Sequence, residues 1–122
     1  MRTAPKKILS TIIGLALLLL LTWLQLEPSN SKQTQYSPEL RQTLALIQQG
    51  GPYPYRQDNS LFHNREKRLP LKPRGYYREY TVPTPNLKHR GAKRVVTGGQ
   101  PPEVYYYTED HYQSFIQLKV QP

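Results

Sequence analysis

The sequence predicts an α+β domain in which one N-terminal helix packs on a small antiparallel β-sheet. Apolar residues recur at helical spacing in the segment that follows Ser37. Segments beyond residue 60 alternate instead and are rich in β-branched and aromatic residues. One helix followed by several short strands is typical of the α+β class. A hydrophobic segment that resembles a signal or an anchor precedes this domain.

The composition excludes several classes of protein. The chain has 122 residues, which leaves room for one small domain. It has no cysteine, which excludes a disulfide scaffold, a thiolate metal site and a cysteine nucleophile. Its 17 Lys and Arg residues outnumber eight Asp and Glu residues and give a formal charge of +9. Such a balance favours an anionic partner, either RNA, DNA or an anionic membrane surface.

Residues 1–26 are typical of an export signal. Basic residues precede an uncharged segment that runs from Ile8 to Leu26. This segment is long for a signal peptide and close to the lower limit of a spanning helix. No A-x-A site follows it, so both a cleaved signal peptide and an N-terminal anchor in the membrane through residues 8–26 are expected alternatives. The preceding positive charges predict that the remainder is delivered outside the cytoplasm, either secreted or anchored.

The folded domain is expected to span residues 36–122. Residues 27–35 are polar and aperiodic, as is typical of a linker. The domain itself carries 13 Lys and Arg residues against seven Asp and Glu residues, so its basic character does not depend on the N-terminal segment.

A helix is predicted at the start of the domain. Ser37 can cap its N-terminus, and Pro38 suits the first helical position. Gly50-Gly51 predicts its end. Between these signals, three apolar residues form one stripe at helical spacing: Leu40, Leu44 and Ile47.

Strands are predicted for the rest of the domain, because alternating segments are separated by turn-forming Pro, Gly, Asn and Asp residues. The predicted strands are a short edge at Leu61–Phe62, followed by Tyr76–Val82, Lys93–Thr97, Val104–Tyr107 and Ser114–Val120.

A loop that follows Phe62 carries residues suited to purine recognition. Its sequence is His63-Asn64-Arg65-Glu66. The Glu66 carboxylate could accept hydrogen bonds from N1–H and N2–H₂ of guanine, a pair of donors that no other base presents in that form. An ordinary charged loop after an edge strand is the alternative explanation.

A carboxylate and two guanidiniums form a second candidate group. Glu79 lies in the middle of a predicted strand, where a carboxylate is disfavoured unless it is solvated or paired. Alternation puts it on the same face as Tyr77 and Thr81. Arg90 and Arg94 lie four residues apart and could clamp one phosphate. The alternatives are a solvated face, a structural salt bridge, and nonspecific attraction for RNA.

His111 is the third candidate. It follows Glu109 and Asp110, and neighbouring acids favour the protonated form that a general acid requires. A surface histidine without a function is the alternative. The three histidines of the chain lie in different loops without ligand spacing, so no metal site and no cofactor are expected.

These candidates form one coherent set. A base, an acid and two guanidiniums are what a metal-free attack of a ribose 2′-OH on its own phosphate needs. Four segments in order then resemble the guanyl-specific microbial ribonucleases: H-N-R-E, G-Y-Y-R-E-Y-T-V, H-R-G-A-K-R-V-V-T-G and Y-Y-T-E-D-H-Y. The resemblance extends from Tyr36 to about Leu118 and includes G-P-Y-P-Y-R-Q-D-N before the first of these segments.

The resemblance implies a helix packed on an antiparallel sheet whose concave face holds the active site. It implies an endoribonuclease that cleaves single-stranded RNA 3′ to guanosine through a 2′,3′-cyclic phosphate and then gives a 3′-phosphate. The family needs no metal. The chain has no cysteine and so lacks the disulfide of some family members, which puts high stability in doubt but not catalysis. His63 stands where those members have a Gln that acts through its main chain, so this change is expected to have little effect.

The resemblance also implies a role for each site residue. Glu79 is the general base and His111 the general acid, while Arg90 and Arg94 contact the phosphate. Guanine binding falls to Phe62, His63, Asn64, Arg65, Glu66 and Tyr112, with Glu66 as the side chain that reads the base and Asn64 and Arg65 contributing backbone N–H groups.

The sequence leaves open two alternative functions and several partners. A noncatalytic basic RNA-binding module of the same fold would not need a base and an acid together. An antibacterial toxin domain would use the same chemistry in another role. The expected partner is single-stranded RNA, an intracellular barstar-like protein inhibitor is a candidate partner, and a monomer is expected.

Overall fold

The structure is a computed structural model that describes residues 35–120. The predicted segment 1–26 and nearly all of the linker 27–35 lie outside the described residues. Over residues 35–120, no helix combines the length and the apolar character that crossing a membrane requires.

Helix α1 (Pro38–Gln49) confirms the predicted helix and its capping. The Ser37 Oγ accepts a hydrogen bond of 3.1 Å from the Leu40 N–H at the N-terminus. Gly50 ends the helix with a left-handed φ of 80°, a conformation in which glycine carries no Cβ penalty. The predicted apolar stripe is buried, and Thr43 lies on the same face.

Five antiparallel strands follow and pair in chain order. Residues such as Val, Thr and Tyr dominate them, as expected for a pleated and half-buried surface. The strands are β1 (Ser60–Leu61), β2 (Tyr77–Thr81), β3 (Arg94–Gly98), β4 (Val104–Thr108) and β5 (Ile116–Leu118).

Apolar clusters cover both faces of this sheet. On one face, α1 packs against a cluster that includes Tyr80, Val82 and Val95. The Thr43 Oγ1 fixes the helix there by donating to the Thr81 carbonyl at 3.1 Å. On the other face, a second cluster is built around Tyr77. Its other members are Leu69 and Val96, with Phe62, Tyr76, Tyr106, Tyr112 and Phe115 packed against it. The sheet therefore has one face occupied by the helix and one lined with aromatic rings.

The last strand is shorter than predicted. Ser114 was expected to start a strand that ends at Val120, but β5 covers only Ile116–Leu118. The Ser114 N–H and Oγ both donate to the Asp110 carboxylate, at 2.9 and 2.5 Å. This local side-chain bonding holds Ser114 in a turn, since Asp and Ser compete with the ladder for backbone groups. The edge strand β1 also begins one residue earlier than predicted.

Candidate active site

Strand β2 presents Glu79 and Thr81 on the sheet face that does not carry the helix, as alternation predicts. The Glu79 Oε1 lies 3.6 Å from the Arg90 Nη2, and the two side chains are 17% and 24% exposed. The Arg90 Nε donates to the Thr81 Oγ1 at 3.0 Å. Two residues of one strand therefore orient Arg90 beside the carboxylate.

Arg94 occupies the first position of β3, opposite Thr81 on one side and Thr108 on the other. It is only 3% exposed, and its Nη1 donates to the Lys93 carbonyl at 2.7 Å. Within residues 35–120, the buried Arg94 Nε and Arg90 Nη2 have no hydrogen-bond acceptor. Leaving a buried donor unpaired costs about 1–3 kcal/mol, and more for a charged group. Anionic oxygens are the acceptors that guanidinium groups bind best.

The loop between the two arginines turns at Gly91. Its φ is 70°, and a Cβ at this position would lie 2.8 Å from the Thr84 Oγ1. Glycine therefore lets the chain pass close to Thr84 before it enters β3.

His111 and Tyr112 adopt left-handed backbone conformations, with φ values of 53° and 71°. Non-glycine residues in this region store strain and cluster at functional sites. The Tyr112 N–H donates to the Thr108 Oγ1 at 3.1 Å, and the His111 N–H donates to the Ala92 carbonyl at 3.1 Å. The second bond ties the His111 loop to the residues that precede Arg94. His111 is an exposed residue.

Asp110 stabilises this loop through local hydrogen bonds. Its carboxylate accepts hydrogen bonds from the Thr108 hydroxyl at 2.8 Å and from Ser114. In the part of the chain that the structure describes, neither Glu109 nor Asp110 forms an ion pair with His111. The hydrogen bonds from Ser114, and then from Thr108, lower the pKa of Asp110 to about 2.

An Asp110→Asn variant should therefore lose stability in a pH-dependent way. The lowered pKa means that the ionised carboxylate favours the folded state. This contribution is complete above the ordinary pKa of 3.8 and disappears as the pH falls through about 2. Melting temperatures of both proteins, measured from pH 7 down to pH 2, should differ most above pH 4 and converge at the acid end. A constant difference over the whole range would contradict this role.

Tyr112 links the catalytic candidates to the predicted base-binding loop. Burial and the Glu79 carboxylate raise the pKa of the Tyr112 hydroxyl to about 12, although the Arg94 guanidinium opposes this shift. The hydroxyl is therefore neutral at pH 7, and both the Glu79 carboxylate and the Arg94 guanidinium affect its ionisation. The Tyr112 ring stacks on Phe62 at a centroid distance of 5.0 Å and lies 4.8 Å from the His111 ring.

The predicted base-binding loop is held by its own side chains. The Asn64 Oδ1 accepts from the Leu69 N–H at 3.0 Å, and the Asn64 Nδ2 donates to the Leu69 carbonyl at 2.9 Å. The Lys67 N–H donates to the Asn64 carbonyl at 3.0 Å and closes a turn. Among the bonds within residues 35–120, none uses the backbone N–H of Asn64 or Arg65. These two donors remain available to a ligand.

The Glu66 side chain is 61% exposed, and within residues 35–120 it forms only a long ion pair. Its Oε2 lies 4.0 Å from the Arg68 Nη1, and Arg68 is itself 37% exposed. An ion pair of this length between exposed side chains contributes little to stability. The carboxylate is therefore accessible for other hydrogen bonds.

The structure thus gathers most of the predicted residues into one region. Arg90 lies beside Glu79, and Tyr112 connects Glu79 and Arg94 to His111 and Phe62. The loop from His63 to Glu66 joins this region through Phe62. Within the described range, no group of three or more His, Asp or Glu side chains could hold a metal ion.

Three supporting roles were not predicted from the sequence. Thr81 orients Arg90, Asp110 holds the turn of His111, and the Asn64 side chain braces the base-binding loop. The Asp110 bonds to Thr108 and Ser114 are local, so the spacing of these residues is a signal that could have revealed them. The Thr81 contact depends on a loop brought in from elsewhere and has no such local signal.

A helix packed on an antiparallel sheet, with a carboxylate, two guanidiniums and an imidazole in one region, is the arrangement expected of a protein that cleaves phosphodiesters. A family model described as ribonuclease matches residues 25–119. The chain therefore belongs to the ribonuclease family, as the resemblance in the sequence predicted.

Individual relatives agree with this assignment. Guanyl-specific ribonuclease St of Saccharopolyspora erythraea is 54% identical over 78 residues, which cover 64% of this chain and 75% of that protein. Guanyl-specific ribonuclease Sa of Kitasatospora aureofaciens is 51% identical over 78 residues, which cover 64% and 80%. A crystal structure of ribonuclease Sa2 with guanosine-2′-cyclophosphate superposes with a TM-score of 0.65 at 48% identity and covers 70% of this chain and 89% of that one.

Proposed function

We propose that the protein is a guanyl-specific endoribonuclease that cleaves single-stranded RNA 3′ to guanosine through a 2′,3′-cyclic phosphate. The observation that carries the proposal is the pairing of Glu79 with Arg90 next to the buried Arg94, where two guanidinium N–H groups lack an acceptor within the described chain. The relatives named guanyl-specific ribonucleases, and the Sa2 structure with a guanosine cyclic phosphate, support the same activity.

In the first step, the Glu79 carboxylate removes the proton of the guanosine 2′-OH. The 2′-oxygen forms a bond to phosphorus, and the bond from phosphorus to the 5′-oxygen of the next nucleotide breaks. His111 donates its proton to that leaving oxygen, which its exposed position on the loop allows. The product is a 2′,3′-cyclic phosphate.

Arg90 and Arg94 stabilise the negative charge that develops on the phosphorane. Both guanidiniums are already oriented, Arg90 by Thr81 and Arg94 by the Lys93 carbonyl, so little reorganisation is needed during the reaction. The neutral Tyr112 hydroxyl is a further donor at this position. In the second step, His111 accepts a proton from water, and the water oxygen forms a bond to phosphorus. The bond from phosphorus to the 2′-oxygen breaks, Glu79 returns a proton to that oxygen, and the product is a 3′-phosphate.

Guanine binds at the loop that follows Phe62. The Glu66 carboxylate accepts from N1–H and N2–H₂, and the backbone N–H groups of Asn64 and Arg65 donate to the acceptors of the base. The bracing of this loop by the Asn64 side chain supports the assignment, because a loop held in its binding conformation loses less entropy on binding. Phe62 and Tyr112 supply the aromatic surface.

The proposal includes delivery outside the cytoplasm by residues 1–26, as a secreted or membrane-anchored enzyme. Its support is the basic start and the uncharged segment of the sequence. An enzyme that cleaves RNA endangers the cell that makes it. Export and an intracellular barstar-like inhibitor would both protect the RNA of that cell, so the two proposals are consistent.

Cleavage should need a 2′-OH and no metal ion. The test is to incubate the protein in EDTA with an RNA that contains a single G, with the same RNA carrying 2′-deoxyguanosine at that position, and with the matching DNA. Only the unmodified RNA should be cut, because the other two lack the nucleophile. Cleavage of the DNA, or loss of RNA cleavage on chelation, would contradict the proposed mechanism.

A further inference from the structure

A basic pocket, here called the side pocket, lies next to the base-binding loop. Its volume is about 360 Å³, and its walls are residues 62–65 of that loop, Lys67 and the segment 71–75, with Tyr77. None of the proposed catalytic residues lines it, and no lining residue is acidic. Residues 62–65 form the wall that the pocket shares with the proposed guanine site, whereas Lys67, the segment 71–75 and Tyr77 have no part in the proposed reaction.

The charge around the side pocket is concentrated. Five of the 13 Lys and Arg residues of the domain lie within the ten residues from Arg65 to Arg74, together with one acid, Glu66. Lys67, Lys72 and Arg74 are exposed and line the pocket. Such a cluster creates a positive potential that attracts a phosphodiester backbone.

The side pocket also offers apolar surface. Leu71 is 71% exposed although it lies in the pocket wall, and Pro73 lies two residues further on. The Tyr77 hydroxyl donates to the Pro70 carbonyl at 2.6 Å and fixes the start of this segment. The Lys72 Nζ lies 5.1 Å from the centre of the Tyr76 ring, which restrains the side chain. Sites for single-stranded nucleic acid combine cations for the backbone with a surface on which a base can pack, most often an aromatic ring. Here Leu71 and Pro73 supply an apolar surface beside the cations.

We propose that the side pocket binds a further nucleotide of the RNA strand whose guanosine occupies the neighbouring loop. Lys72 and Arg74 contact its phosphate, and Leu71 and Pro73 pack against its base. This inference rests on the proposed function, since the loop between the two sites then reads the guanine. Its consequence is that the enzyme binds RNA chains better than dinucleotides.

The test compares two substrates and two matched variants. The substrates are the dinucleotide GpC and a short pyrimidine RNA with a single central G. The site variant is Lys72→Gln/Arg74→Gln. The control, Arg41→Gln/Lys119→Gln, removes the same charge from exposed positions in α1 and after β5. The site variant should lower kcat/KM for the longer RNA about tenfold and leave GpC unchanged, as expected when a charged hydrogen bond to one phosphate is lost.

A binding measurement separates this inference from the proposed function. Fluorescence anisotropy uses the same RNA with 2′-deoxyguanosine at the central position, which cannot form the cyclic phosphate. Loss of one phosphate contact should reduce the slope of log K against log salt by about 0.7 in the site variant only. Equal losses in both variants, or an equal loss on GpC, would overturn the side pocket as a nucleotide site. Absence of cleavage by the wild type would instead overturn the proposed function, while the anisotropy result still decides on the pocket.

Discussion

Replacing Glu79 by Gln, or His111 by Gln, is expected to lower kcat by about 10²–10⁴-fold, the usual contribution of a general acid or base. The carboxamide keeps the size of Glu79 but cannot accept the 2′-OH proton. Gln at position 111 has no proton to donate to the leaving oxygen at neutral pH. Steady-state rates on an RNA with a single G measure both losses.

The pH dependence adds a readout that a merely structural role would not change. In the wild type, kcat/KM should fall at low pH, where the base is protonated, and at high pH, where the acid is deprotonated. Each variant should lose the limb that belongs to its missing group. Glu103→Gln is a matched control, because Glu103 is an exposed carboxylate whose described hydrogen bond is a long one from the Tyr76 hydroxyl at 3.5 Å. Near wild-type turnover in both site variants would reject the assignment.

Glu66→Ala is expected to remove most of the preference for guanosine. Guanine offers two donors to the carboxylate, whereas adenine presents an acceptor at N1 and no 2-amino group. A polar site left unpaired by the wrong ligand can discriminate by about 10⁴–10⁵-fold in favourable cases. The variant should therefore lose cleavage after G far more than the slow cleavage after A. Mapping the fragment ends from an unstructured RNA, for both proteins, measures the ratio.

Arg68→Gln serves as the control for this change. It removes the distant ion-pair partner of Glu66 but leaves the carboxylate in place. Its preference for G over A should match that of the wild type, even if RNA binding weakens overall. A Glu66→Ala enzyme that retains the full preference would show that the carboxylate does not read the base.

The parts of the fold set by local signals could be predicted from the sequence. The helix has a capping serine at one end and a left-handed glycine at the other, and both function as predicted. Alternation in β2 correctly placed Glu79 on the opposite face from Tyr80, which packs on the helix side. The predicted start of β5 at Ser114 was wrong, because the Asp110 carboxylate accepts a hydrogen bond from the Ser114 N–H.

The arrangement within the site depends on contacts between distant segments and could be predicted only in outline. The choice of Glu79, Arg90, Arg94 and His111 followed from residue type and motif. That Thr81 aligns Arg90, or that Tyr112 lies between Glu79 and Phe62, follows only when β2, β3 and two loops are brought together. The bonds of the Asp110 carboxylate to Thr108 and Ser114 are different in kind, because they are local and their spacing is visible in the sequence.

The most direct test of the central claim reads both the position and the chemistry of the cut by mass spectrometry. The wild-type protein is incubated in EDTA with an RNA that contains a single G, and the 5′ fragment is followed over time. The fragment should end in guanosine 2′,3′-cyclic phosphate at early times and in guanosine 3′-phosphate later, with no cut after other bases. A fragment that ends in a free 3′-OH, or ends distributed over all four bases, would contradict a guanyl-specific cyclising ribonuclease.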